Sequence, residues 1–421
     1  MKKNVEKITN KDAVVEAPPS KAHTLRALII GSLANGVTII EKPLLGEDQL
    51  NVINCLKALG IGIEQKPDKI IVKGSDGKYS PAAEQLYVGE SGVGMNFLSS
   101  AACLSEKPVV LSGNKRLNER PIGEVIQGLK QLGCKIEFLE KEGYPPVRIF
   151  GGGIKGGTAK IHGAKTSQYF SSLVISACYS RQDVTLECLD NMTEKPYFDI
   201  SLKMMEDFKV TAQNYDYKKI TIAANQRYKG RTIKIEGDYS SASFFFLAAA
   251  ICKSKVTVSN LRIDSKQGDK EFLSLIEKMG CKIYRTADSI SVEGGNLKAI
   301  EQNMSDLPDL VPPLAVACAF AEGTSRLTNI GHLRHKESDR LGVMAKELAK
   351  MEIDAECEED SLVITGTAHA KGTTIDPHND HRIAMSFAAA GLVTGGQTIQ
   401  NPACVAKSFP DFWERFAIFQ K

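Results

Sequence analysis

One pattern recurs six times along the 421 residues at a nearly constant spacing. Each copy opens on a short polar cluster, passes into a helix of small apolar residues and continues as a β-branched strand. The first five copies add an amphipathic helix ending near glycine and two further short strands. In the first copy, Ser20-Lys21 opens a helix expected to run to about Ala34, and Gly36 to Glu41 reads as strand. Leu50, Ile53, Leu56 and Leu59 recur at helical spacing within Glu47 to Leu59. Gly60 is the expected stop, and Ile61 to Glu64 with Lys69 to Lys73 read as a strand pair. The other copies open at Glu90-Ser91-Gly92, Thr166-Ser167-Gln168, Asp238-Tyr239-Ser240, Pro308-Asp309 and Asn379-Asp380-His381. Counted from Ser20, Ser91, Thr166, Tyr239, Asp309 and Asn379, the steps are 71, 75, 73, 70 and 70 residues, which marks an array of one supersecondary unit. The second helices also correspond: Ile122–Gly133, Asp199–Phe208, Lys270–Gly280 and Ser338–Met351, with Asp411–Phe419 as the short last one.

A unit with strands and helices in about 70 residues cannot bury both of its faces alone. Three units per lobe give two lobes of about 200 residues, within the usual range for a domain with one core. The expected lobes are 20–236 and 237–421, with the break near Glu236-Gly237-Asp238. The strand before Pro18-Pro19 belongs either to the first lobe or, by chain return, to the second, and the expectation is that 1–19 joins the C-terminal lobe.

Charge narrows the function. With 53 basic and 50 acidic residues the formal balance is +3, too even for a nucleic-acid or membrane-surface binder, so any basic site must be local. No apolar run reaches the roughly 18 residues of a membrane span. The start, Met1-Lys2-Lys3-Asn4-Val5-Glu6, is charged with no apolar segment after it, so no signal peptide and a cytoplasmic location are expected. The ten cysteines form no CxxC pair and read as buried, reduced thiols.

The six openings are rich in Ser, Thr, Asp, Asn and Gly, residues that cap helix N-termini. Free N–H groups and the helix dipole make such termini attractive to phosphate and carboxylate. Any one of them is explained by capping. Basic residues beside them argue for more: Lys21 and Arg26, Arg120, the run His335-Lys336-Glu337-Ser338-Asp339-Arg340, Arg382 in Asn379-Asp380-His381-Arg382, and Lys407. Each taken singly is an ordinary solvated cluster. Together they predict a small-molecule site for a substrate with several negative charges.

The runs PPSKAHTLRAL, NERPIGEVI, TSQYFSSL, EGDYSSASFFFLAAA, RHKESDRL, NDHRIAM and VAKSFPDFW resemble, in order and spacing, the EPSP synthase family of enolpyruvyl transferases, over about residues 10 to 418. The resemblance implies an α/β fold, a two-domain inside-out α/β barrel of six βαβαββ-type repeats, three per domain. It implies transfer of the carboxyvinyl group of phosphoenolpyruvate to a hydroxyl of shikimate 3-phosphate, by a monomer acting on small molecules without cofactor or metal. His332, His335, His378 and His381 then read as hydrogen-bonding residues.

The resemblance also assigns roles. Lys21, Gly92, Arg120, Gln168, Arg340, Arg382 and Lys407 would hold phosphoenolpyruvate. Glu337 would exchange a proton with its methylene carbon, and Asp309, shared with Lys21, would take the acceptor hydroxyl proton. Arg26, Thr166, Ser167, Gln168, Tyr197, Asp309, His332 and Lys336 would line the acceptor. Closure about a hinge near residues 19 and 237 would exclude water.

The chain departs from the family pattern on the acceptor side. Ala22 stands where the family has a second serine, and Glu90-Ser91-Gly92-Val93-Gly94-Met95-Asn96 replaces Asn-Ala-Gly-Thr-Ala-Met-Arg. Thr166 replaces a serine, His332 an asparagine, and Glu194 the serine before Lys-Pro-Tyr. A carboxylate at Glu194 opposes an acceptor phosphate. Either the phosphate pocket is rearranged, or the acceptor lacks the 3-phosphate. Tyr197, Lys195 and Asp309 favour a shikimate-like ring in both cases. Two further classes fit less well. The related UDP-N-acetylglucosamine enolpyruvyl transferases use a loop cysteine that Ser112 to Arg120 lacks, and a non-catalytic binding protein would not need Glu337 with Asp309.

Overall fold

The computed structural model describes residues 2–8 and 12–420; of the charged start, Met1 lies outside the described residues, as do residues 9–11 and 421. The chain forms two compact units, Pro19–Ile235 and Met1–Pro18 with Glu236–Lys421. Each has its own apolar core.

Six core helices organise the units: α1 (Lys21–Leu33), α2 (Gly92–Ala101) and α3 (Gln168–Ala177) in the N-terminal unit, and α4 (Tyr239–Cys252), α5 (Val311–Ala319) and α6 (His381–Thr394) in the C-terminal unit. They are buried on nearly all sides; in α4 only Cys252 escapes full burial. That is why these stretches show small apolar residues throughout and no single apolar stripe. The second helices are one-faced instead. In Glu271–Met279 the buried residues are Phe272, Leu273, Leu275, Ile276 and Met279.

Sheets wall the helices, and five of the six share one order. In the N-terminal unit, Gln85–Tyr87 runs parallel to Val109–Ser112, which pairs antiparallel with Val147–Ile149, itself antiparallel to Ile136–Phe138. Gly157–Ile161, Val184–Cys188, Lys219–Ile222 and Gln213–Tyr215 repeat this order. The first copy has no preceding strand in its own unit, so Thr232–Lys234 returns to lie parallel to Val37–Glu41. In the C-terminal unit the corresponding strand is Ala13–Glu16, parallel to Lys255–Ser259. The sixth sheet has three strands, with Lys2–Val5 antiparallel to Gln397–Gln400. Strands such as Val37–Glu41 and Lys255–Ser259 alternate between buried and outward side chains, as one-sided sheets require.

Two expectations about helix starts are corrected. Asp309 does not cap the fifth core helix. A 3-10 turn, Pro308–Leu310, precedes α5 and makes Leu310 the cap residue, leaving the Asp309 carboxylate to two arginines. Ser167 occupies the cap position of α3, but its hydroxyl donates to the Glu194 carbonyl at 2.9 Å rather than capping. Ser20, Ser91, Asp238 and Asp380 do cap with their side chains. All ten cysteines are free, seven buried and three half-buried.

Candidate active site

In the N-terminal unit the polar residues gather at the starts of α1, α2 and α3. Lys21, the first residue of α1, extends its Nζ to Asp48 Oδ2 at 2.7 Å; Asp48 lies in the first turn of helix Glu47–Ala58. One turn on, Arg26 is buried. Its Nε donates to Ser201 Oγ at 2.8 Å, Nη1 to the Ala22 carbonyl at 3.0 Å and Nη2 to the Tyr197 carbonyl at 2.7 Å. Its guanidinium faces the Phe97 ring at 5.2 Å. Burial lowers the Arg26 pKa to about 10, against a smaller opposing effect of Tyr197. Arg26 therefore stays cationic at neutral pH while bracing helix Lys195–Asp207 against α1.

Gly92 begins α2 directly beneath Arg120. A Cβ at this position would lie 2.7 Å from Arg120 Nη2 and 2.9 Å from its Cζ, so any side chain here would push the guanidinium from its place over the helix start. The Tyr169 hydroxyl donates to the Pro121 carbonyl at 2.9 Å, which ties the Arg120 loop to α3. At the start of α3, Gln168 Oε1 accepts from Asn96 Nδ2 at 3.0 Å. Thr166 donates its hydroxyl to Glu194 Oε2 at 2.5 Å, and Thr166 Oγ1 accepts from the Gln168 backbone N–H at 3.3 Å. Glu194 is buried, 1 % exposed, and its backbone is left-handed, φ 59°. The chain thus lays a carboxylate of its own against Thr166 at an anion-attracting helix start.

The C-terminal unit concentrates the ionisable groups. Arg340, 1 % exposed at its side chain, binds three carboxylates: Nη1 to Asp309 Oδ1 at 2.9 Å, Nη2 to Glu337 Oε2 at 2.8 Å and Nε to Asp380 Oδ2 at 2.8 Å. Arg382 Nη2 lies 2.7 Å from Asp309 Oδ2, its Nη1 donates to Ser240 Oγ, and Lys407 Nζ lies 3.0 Å from Glu337 Oε1. The chain path explains the convergence. Glu337 and Arg340 are three residues apart across the start of helix Arg340–Lys350, Asp380 caps α6, and Arg382 sits in the first turn of α6. Burial is the largest influence on Asp309 and raises its pKa. Arg382, Arg340 and Lys336 together outweigh it, so the carboxyl is held well below the usual range despite Glu337 nearby. Burial likewise works against the charge on Arg340, and Asp380, Glu337 and Asp309 more than restore it. Lys336 is buried, and His332 is half-buried in the 3-10 turn Gly331–His335.

The residues named from the sequence divide between the units, Lys21, Arg26, Gly92, Arg120, Thr166, Ser167, Gln168 and Tyr197 in one and Asp309, His332, Lys336, Glu337, Arg340, Arg382 and Lys407 in the other, where Asp309, Glu337, Arg340, Arg382 and Lys407 share one ion-pair network. Sequence reasoning missed the partners that hold them. Asp48 shows only as an acid in a helix's first turn, Ser201 carries no local signal, and Ser240 shows only as part of the Asp238-Tyr239-Ser240 opening. Asp380 was visible within a polar cluster, but its place against Arg340 was not, since the two are 40 residues apart. Among the described residues no three His, Cys, Asp or Glu side chains gather as a metal ion would require, and no helix is long and apolar enough to cross a membrane.

Buried helices walled by three sheets in each unit, with cations and carboxylates at the helix starts, define a two-domain, inside-out α/β barrel protein of the enolpyruvyl transferase class. A solved EPSP synthase from Acinetobacter baumannii shares this fold with a TM-score of 0.83 and 29 % identity, over 98 % of this chain and 97 % of that one. The chain belongs to the EPSP synthase (3-phosphoshikimate 1-carboxyvinyltransferase) family, whose model matches residues 5–416. Relatives named 3-phosphoshikimate 1-carboxyvinyltransferase include one from Methanoculleus marisnigri, 43 % identical over 96 % of each chain. Another, from Escherichia coli O6:H1, is 37 % identical over 98 % of this chain and 97 % of its own.

Proposed function

We propose that this protein transfers the enolpyruvyl group of phosphoenolpyruvate to the 5-hydroxyl of shikimate 3-phosphate and releases phosphate, acting as a cytoplasmic monomer on small molecules. The observation that carries the reading is the buried network in which Arg340, Arg382 and Lys407 converge on Asp309 and Glu337. Three cations held against two carboxylates suit a substrate bearing a carboxylate and a phosphate, because those anionic groups replace the protein carboxylates as partners.

Lys21, Gly92, Arg120, Gln168, Arg340, Arg382 and Lys407 bind phosphoenolpyruvate. Arg26, Thr166, Ser167, Gln168, Tyr197, Asp309, His332 and Lys336 bind the acceptor. Arg26 acts mainly by shaping the site, because Nε and both Nη atoms already donate to the protein. Glu337, protonated once the substrate's anionic groups replace it on Arg340 and Lys407, gives that proton to the methylene carbon, and positive charge develops on the neighbouring carbon. The acceptor oxygen forms its bond there while Asp309 takes the hydroxyl proton. From the resulting ketal, Glu337 removes a methyl proton, the bond to phosphate oxygen breaks, and phosphate leaves against the arginines and lysines. Asp309 enters the cycle as the carboxylate, since Arg382, Arg340 and Lys336 stabilise its charge.

The test is phosphate release from phosphoenolpyruvate with shikimate 3-phosphate, run beside unphosphorylated shikimate. Robust release with the phosphorylated acceptor is expected. Release only with shikimate, or with neither acceptor, refutes the assignment.

A further inference from the structure

Helices α2 and α3 lie side by side, and matching positions one turn apart zip them together. Residues 96 and 100 of α2 face 168, 172 and 176 of α3. Ser172 Oγ donates to the Asn96 carbonyl and lies 2.9 Å from Ser100 Oγ, Ser100 Oγ donates to the Ser172 carbonyl at 2.6 Å, and Ser100 and Ser176 hydroxyls are 3.0 Å apart. This register sets Asn96 against Gln168.

Asn96 is only 6 % exposed, and its Nδ2 donates twice, to the Gly92 carbonyl and to Gln168 Oε1, each at 3.0 Å. A backbone carbonyl can only accept, so the Gly92 contact dictates which end of the Asn96 amide faces the site. The second Nδ2 hydrogen in turn demands the Gln168 oxygen. Gln168 Nε2, with both hydrogens, is thereby turned away from Asn96, and it meets no acceptor among the described residues. The arrangement has a cost: Asn96 Oδ1 is buried without a hydrogen-bond partner. Packing alone would favour an apolar residue here.

We propose that Asn96 is a positioning residue that polarises Gln168, so that two N–H donors rather than a carbonyl oxygen meet the anionic donor substrate. A neutral amide thus orients the neighbouring side chain. The inference rests on the reading that Gln168 contacts phosphoenolpyruvate.

Asn96→Asp tests it, because a carboxylate of the same shape can only accept. It draws Gln168 Nε2 to itself and turns the carbonyl oxygen toward the substrate. The KM for phosphoenolpyruvate should rise about tenfold or more, the loss expected for a hydrogen bond to a charged group. Asn96→Ala, which deletes the unpartnered oxygen and should fold well, is expected to raise the same KM several-fold. In a Gln168→Ala background Asn96→Ala should lose its effect, since Asn96 acts through Gln168, while Asn96→Asp keeps only the direct repulsion of its charge. An equal effect of Asn96→Ala in both backgrounds would make Asn96 a structural strut and overturn the proposal. If Gln168→Ala alone leaves the phosphoenolpyruvate KM unchanged, the underlying contact fails and the proposal with it.

Discussion

Replacing Glu194 with serine should tighten acceptor binding, and the geometry sets how much. Glu194 Oε2 lies 2.5 Å from Thr166 Oγ1 and takes the only hydrogen that hydroxyl has. A phosphate oxygen contacting the same hydroxyl at about 2.7 Å and a tetrahedral angle lies about 4 Å from the carboxylate. At an effective dielectric of about 20, two unit charges at that distance repel by about 4 kcal/mol, roughly three decades in affinity. If the carboxylate swings into water when the acceptor binds, the penalty falls to about 1 kcal/mol, near fivefold. Glu194→Ser removes the charge and frees the Thr166 hydrogen, so the KM for shikimate 3-phosphate should fall between about fivefold and a thousandfold. The KM for unphosphorylated shikimate should change little. Initial rates of phosphate release at saturating phosphoenolpyruvate, with either acceptor varied, read both values. A well-folded Glu194→Ser enzyme with an unchanged or raised KM for shikimate 3-phosphate would refute the argument and place the acceptor phosphate away from Thr166.

Three further outcomes follow from the C-terminal network. Glu337→Gln should still bind phosphoenolpyruvate in a calorimetric titration while turnover falls at least about a hundredfold, the range for a lost acid–base group; normal turnover would remove Glu337 from the mechanism. Lys407→Ala should weaken phosphoenolpyruvate binding by about tenfold or more, read by the same titration, because a buried cation 3.0 Å from Glu337 is lost. Asp309→Asn should lower stability at neutral pH by about 3 kcal/mol, since Arg340 and Arg382 lose a charged partner. Its pH dependence has a definite sign. The folded-state pKa of Asp309 lies below the ordinary 3.8, so its contribution is full above that value and is lost as pH falls toward the folded-state pKa. Melting curves of the two proteins should therefore differ at pH 7 and converge below about pH 4; a gap that persists in acid would assign the loss to packing.

The repeat was legible because its signals are local. Ser20, Ser91, Asp238 and Asp380 cap their own helices, and the apolar runs behind them announce burial on all sides. The charged clusters were legible for the same reason: Glu337 and Arg340, or Asp380 and Arg382, meet within one helical turn. Long-range pairing left no such trace. Nothing in Thr232–Lys234 announces that it lies beside Val37–Glu41, nor in Lys2–Val5 that it closes a sheet with Gln397–Gln400, because an edge register depends on where the rest of the fold leaves space. The candidate-site side chains divide in the same way. Their types and their places at helix starts follow from residue order, through capping and helical spacing. Their polarity and partners come from neighbours distant in sequence: Arg26 is committed to Ser201 and Tyr197, Arg340 is shared among Asp309, Glu337 and Asp380, and Gln168 is turned by Asn96. A hydrogen bond or ion pair needs two groups within about 3 Å, and for residues far apart in the chain only packing of the core helices brings them that close.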